Sequence, residues 1–71
     1  MDETFVTLCR EYVALVDAMR TGRYTAGELH QLDRERQVAH TRLIELTGLP
    51  RTEDMYRYAR AVLHAARATR R

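Results

Sequence analysis

Thr21-Gly22-Arg23-Tyr24-Thr25-Ala26-Gly27-Glu28 divides the chain, because it reads as the end of one helix and the start of another. Thr21-Gly22 supplies a C-terminal stop, since glycine enters the left-handed conformation at little cost. Thr25 and Glu28 fit the Thr-x-x-Glu capping box, and Tyr24 with Leu29 fits the hydrophobic staple around it. A second break lies at Gly48-Leu49-Pro50. Gly48 stops the second helix, Leu49 can fold back on Ile44, and Pro50 prevents continuation. Thr52 is then expected to cap a third helix, with Glu53 and Asp54 in its first turn.

Working outward, the first helix is expected from about Glu3 to Arg20, with Asp2 and Glu3 favoured at its start by the helix dipole. Phe5, Leu8, Cys9, Tyr12, Leu15, Val16 and Met19 form one broad apolar face, which Val6 and Val13 widen. The second helix offers a narrower stripe of Leu29, Leu32, Ala39, Leu43 and Leu46. Asp33-Arg34-Glu35-Arg36-Gln37 interrupts it, with Arg36 where the stripe should continue. The ordinary reading of this run is a solvated surface with internal ion pairs such as Asp33 with Arg36. Arg36, in line with the stripe, must otherwise snorkel outward or pair with an acid across an interface. The third helix, to about Thr69, turns Met55, Tyr58, Ala59, Val62 and Ala66 inward. The fold class is all-α: residues 1–71 form a single helical domain, a compact three-helix unit made of a helical hairpin plus a basic C-terminal helix.

Composition agrees. A hydrophobic share of 45% with 31% charged residues describes a globular chain, and three glycines with one proline are too few for a loop-rich or all-β fold. Every basic residue is arginine, and their distribution is uneven. Residues 1–50 hold six arginines against eight acids, whereas residues 51–71 hold six against Glu53 and Asp54, so the charge runs from −2 to +4. Cys9 is the single cysteine, which leaves no thiolate cluster and suits a small buried hydrophobe. Met1-Asp2-Glu3 lacks the layout of a signal peptide, and no apolar run reaches membrane-span length; a cytoplasmic protein with no membrane partner is expected.

Arg57, Arg60, His64, Arg67 and Arg71 are spaced to stack along one face of the third helix, opposite its apolar stripe. Such a face suits an acidic protein surface or nucleic-acid phosphates, or is simply solvated. No helix-turn-helix is legible. His30 and His40 lie ten residues apart on one helix, roughly 15 Å along its axis, so surface histidines are expected and no metal site. There is no glycine-rich phosphate loop and no nucleophile elbow, so a non-enzymatic protein without a cofactor is expected.

Arg23-Tyr24, Glu28-Leu29 and Arg42-Leu43-Ile44-Glu45-Leu46-Thr47 together resemble the Hha/YmoA family of small helical nucleoid regulators. The resemblance implies a regulator that works by contacting a DNA-binding partner. It departs after Thr47, where Gly48 and Pro50 break what the family continues as helix, and it transfers no functional residues.

The wide apolar arc of the first helix exceeds what two narrow neighbours readily cover. Fully burying a Val, Leu or Phe gains ~1.5–3 kcal/mol, an incentive to associate. The sequence thus predicts a small interaction protein, an accessory or regulatory adaptor that binds another protein and forms a homodimer. Phe5, Val6, Tyr12, Val13 and Val16 would supply apolar contact, and the basic face electrostatic selection. The alternatives are a plain three-helix bundle with ordinary surface apolars, and a DNA-binding or nucleoid-associated regulator that uses the basic face.

Overall fold

The computed structural model describes residues 2–68 and consists of three helices: α1 (Glu3–Met19), α2 (Ala26–Thr47) and α3 (Thr52–Ala68). No strand occurs among the described residues. Local chemistry sets most of the boundaries. The Asp2 carboxylate accepts from the Thr4 N–H at 2.8 Å and caps α1. The capping box at α2 is complete: the Glu28 N–H donates to Thr25 Oγ1 at 3.2 Å, and the Thr25 N–H donates to Glu28 Oε1 at 2.9 Å. Gly48 ends α2 at φ +71° and donates its N–H to the Ile44 carbonyl at 2.7 Å.

The start of α3 differs from expectation. The Arg51 carbonyl accepts from the Met55 N–H at 2.9 Å, so Arg51 occupies the cap position and Thr52 is the first helical residue. The Thr52 hydroxyl is engaged elsewhere, accepting from Arg36 Nη1 at 3.3 Å. The expected end of α3 at Thr69 lies outside the described residues.

α1 is the hub. It packs along both α2 and α3, which meet each other only marginally. Val6, Cys9, Tyr12 and Val16 of α1 are buried against Ala39 and Leu43 of α2 and against Met55, Tyr56, Ala59 and Val62 of α3. The alanines at both seams let the helix axes approach, while Tyr12, Leu43 and Met55 fill the volume between them.

This arrangement corrects the expected apolar docking face. Val6, Tyr12 and Val16 belong to the subunit's own core, and Phe5 and Val13 are half-buried against it. The Phe5 ring stands edge-on to Tyr58, with centroids 6.3 Å apart. A helix sandwiched between two neighbours is covered from two sides, so its wide arc is mostly consumed internally. On α3 Tyr58, expected inward, is 42% exposed, and Tyr56 is buried instead. On α2 only Ala39 and Leu43 of the stripe are buried, Leu46 is exposed, and His40 takes an interior place.

Candidate interaction surfaces

Three groupings of side chains could carry chemistry. The first is a buried polar cluster between α1, α2 and the α2–α3 connection. His40, expected at the surface, is 6% exposed. Its Nε2 lies 3.0 Å from the Leu49 carbonyl, which can only accept, so Nε2 carries the proton. Nδ1 is then an acceptor, receiving the Tyr12 hydroxyl at 3.1 Å and, more distantly, Arg36 Nη1 at 3.4 Å. Arg36 turns inward instead of snorkelling out, and its Nε donates to Asp33 Oδ1 at 2.9 Å, the expected one-turn pair. That hydrogen bond holds the Asp33 carboxyl below the usual aspartate range, with smaller help from Gln37 against a desolvation cost. Every polar group here has a partner inside the subunit. The cluster ties the α2–α3 connection to α1 and leaves nothing aimed at a ligand.

The second grouping is a polar cleft of about 360 Å³ between α1 and α3, lined by Val13, Asp17, Tyr56, Arg60, Leu63, His64 and Arg67. The Tyr56 hydroxyl donates to Asp17 Oδ1 at 2.5 Å. This bond to a carboxylate, with desolvation second, raises the Tyr56 pKa. The Arg20 guanidinium lies 4.7 Å from the Tyr56 ring centroid and pairs with Glu53 at 2.9 Å; that of Arg60 lies 5.8 Å from the same ring. Where the cleft ends at Arg67, an adjoining recess brings in Arg10 of α1 beside Leu63 and Ala66.

The structure therefore gathers Arg60, His64 and Arg67 of the basic face. Arg57 is exposed outside the cleft, 3.9 Å from Glu53, and Arg71 lies outside the described residues. Arg10 was not legible as a member, because its neighbour Arg67 is on another helix.

The third grouping is an apolar groove of about 510 Å³ between α1 and α2. Leu8, Ala14 and Leu15 form one wall with Glu11, and Val38 and Ala39 form the other between Glu35 and Arg42. Val38 is 59% exposed. Sequence periodicity passed over it because it stands apart from the α2 stripe.

Cys9 is fully buried, and burial raises its thiol pKa, which makes it a poor nucleophile. Among the described residues no three His, Cys, Asp or Glu side chains could share a metal ion, and no helix is long and apolar enough to cross a membrane. No known protein family, curated protein or solved structure matches the chain. The resemblance to the Hha/YmoA family accordingly assigns no residue here.

Proposed function

We propose that this chain is a small, non-enzymatic helical interaction protein, an accessory or regulatory adaptor whose α1/α3 cleft binds an acidic surface of another protein. One observation carries the reading. Arg60, His64 and Arg67 line a single cleft, and none of them holds an ion pair among the described residues. Among the described residues lining the cleft the one carboxylate, Asp17, is engaged by the Tyr56 hydroxyl. The arginine forks are left to meet carboxylates from outside, over an apolar floor of Val13 and Leu63. Co-purification from a native lysate tests it, comparing the parent chain with Arg60→Glu/Arg67→Glu. Loss of a captured protein on reversal, and at raised salt, is expected. Capture that is indifferent to both would remove the basis of the reading.

A second reading rests on Arg10, which extends the positive track from α3 onto α1 beside Arg67. A track carried by two helices suits a phosphodiester backbone. With Arg10, Arg57, Arg60 and Arg67 as four phosphate contacts, log affinity for duplex DNA against log salt should slope at about −4. A flat salt response, or retention unaffected by the reversals, would eliminate this alternative.

A further inference from the structure

We infer that the α1/α2 groove is a two-fold interface that takes a second copy of this chain, with Val38 at the axis. The apolar requirement comes first. Val38 projects from the α2 wall at 59% exposure, beside the half-buried Leu8 and Leu15 of α1. The residues of α1 that line the groove are distinct from Arg10, Val13 and Asp17, which line the basic cleft and its recess on another flank, so the two sites share no side chain.

Charge then selects the occupant. Glu35 precedes Val38 by three residues and Arg42 follows it by four, all three on the groove side of α2. A closed two-fold contact applies one patch to itself, so residue i meets j and j meets i. With the axis at Val38 and the two α2 helices antiparallel, Glu35 faces Arg42 of the partner subunit, and the reverse pair forms on the other side. Neither Glu35 nor Arg42 holds an ion pair within its own subunit among the described residues. Glu11 on the α1 wall is left over after these pairs and weakens the contact, which keeps the dimer reversible. The dimer rests on the interaction-protein reading for its purpose. Its tests leave Arg60 and Arg67 untouched, so the two proposals can fail separately.

Sedimentation equilibrium of the full chain over a dilution series should give a monomer–dimer equilibrium. Val38→Glu should weaken it by about tenfold or more. Glu35→Arg and Arg42→Glu should each weaken self-association, because each sets like charges opposite one another. An equimolar mixture of these two single variants should dimerise again, since every mixed contact then pairs an arginine with a glutamate. All three positions are exposed, and helical circular dichroism verifies that each variant is folded. A chain that stays monomeric at every concentration overturns the inference, as does a mixture no tighter than either variant alone. A monomer that loses a captured protein on Val38→Glu would assign the groove to a foreign partner and equally overturn it.

Discussion

Replacing Tyr12 with phenylalanine removes one oxygen from a site closed to solvent while leaving the ring's packing in place. In the parent chain the hydroxyl donates to His40 Nδ1 at 3.1 Å, and the two rings stand edge-on with centroids 5.1 Å apart. In the variant, Nδ1 keeps only the 3.4 Å approach of Arg36, longer than a well-formed hydrogen bond. Stranding a buried acceptor costs ~1–3 kcal/mol, and Arg36 is near enough to recover part of it, which places the loss at about 1–1.5 kcal/mol. In a domain this small, 1 kcal/mol moves the melting temperature by ~4–8 °C, so a fall of roughly 5–10 °C is expected. His40→Leu should cost more, because it strands both the Tyr12 hydroxyl and the Leu49 carbonyl. The double variant should lose less than the sum of the two, since each change removes the same bond. Urea and thermal unfolding followed by the helical circular dichroism signal measure all three, with an unchanged urea slope expected. A Tyr12→Phe chain within ~0.5 kcal/mol of the parent, together with strict additivity in the double variant, would refute the assignment of stability to this bond.

Gly48→Ala should destabilise by ~1–2 kcal/mol through backbone strain at φ +71° alone, because an added Cβ meets nothing within 4 Å; Gly48→Asn should cost less on the same urea curve. Asp33 is held below the ordinary aspartate pKa, so its contribution is complete above ~4 and is lost as pH falls through the lower folded value. The urea midpoint of the parent should therefore drop more steeply between about pH 5 and 3 than that of Asp33→Asn. Tyr56 has the opposite sign: its raised pKa makes its contribution complete below ~10 and lost as pH rises through the folded value. Tyr56→Phe should flatten the alkaline limb of the stability profile, and tyrosinate absorbance of the parent should show one residue ionising late.

The helix breaks were legible because they are local. Thr25 and Glu28 sit within one turn of each other, and Gly48 needs only its own backbone angle, so the residues that decide these boundaries are sequence neighbours. The interior was less legible where the deciding partner lies on another helix. Periodicity turns Tyr58 inward, whereas the buried tyrosine is Tyr56, whose hydroxyl meets Asp17, 39 positions earlier on another helix. His40 is buried because the chain returns after Gly48 and offers it the Leu49 carbonyl. Thr52 has the residue type of a cap, yet its hydroxyl is claimed by Arg36. The breadth of the α1 apolar face is legible in the residue pattern, but its burial between two neighbours is not, since a pattern does not say how many neighbours a helix will have. At the basic cleft the members from α3 share one face and were legible together, whereas Arg10 joins them only through tertiary packing.

Making α1 the hub has a structural consequence and a functional one. Because α2 and α3 scarcely touch, their relative placement depends on α1 and on the polar ties at the connection: His40 to the Leu49 carbonyl, Arg36 to Thr52, and Thr47 to the Met55 sulfur at 3.6 Å. A buried polar cluster therefore does the positioning that a third apolar seam would do in a closed bundle. The same openness leaves α1 with two accessible flanks of different chemistry. One presents Leu8 and Leu15 beside Val38; the other presents Arg10 near Arg67. If two copies join at the first flank, each dimer carries two basic clefts, one on each subunit's other side. A partner with repeated acidic sites then meets the second cleft at a high effective concentration once the first is engaged. Modest charge on each subunit is sufficient under that arrangement, because avidity supplies what the net charge of +2 per chain does not.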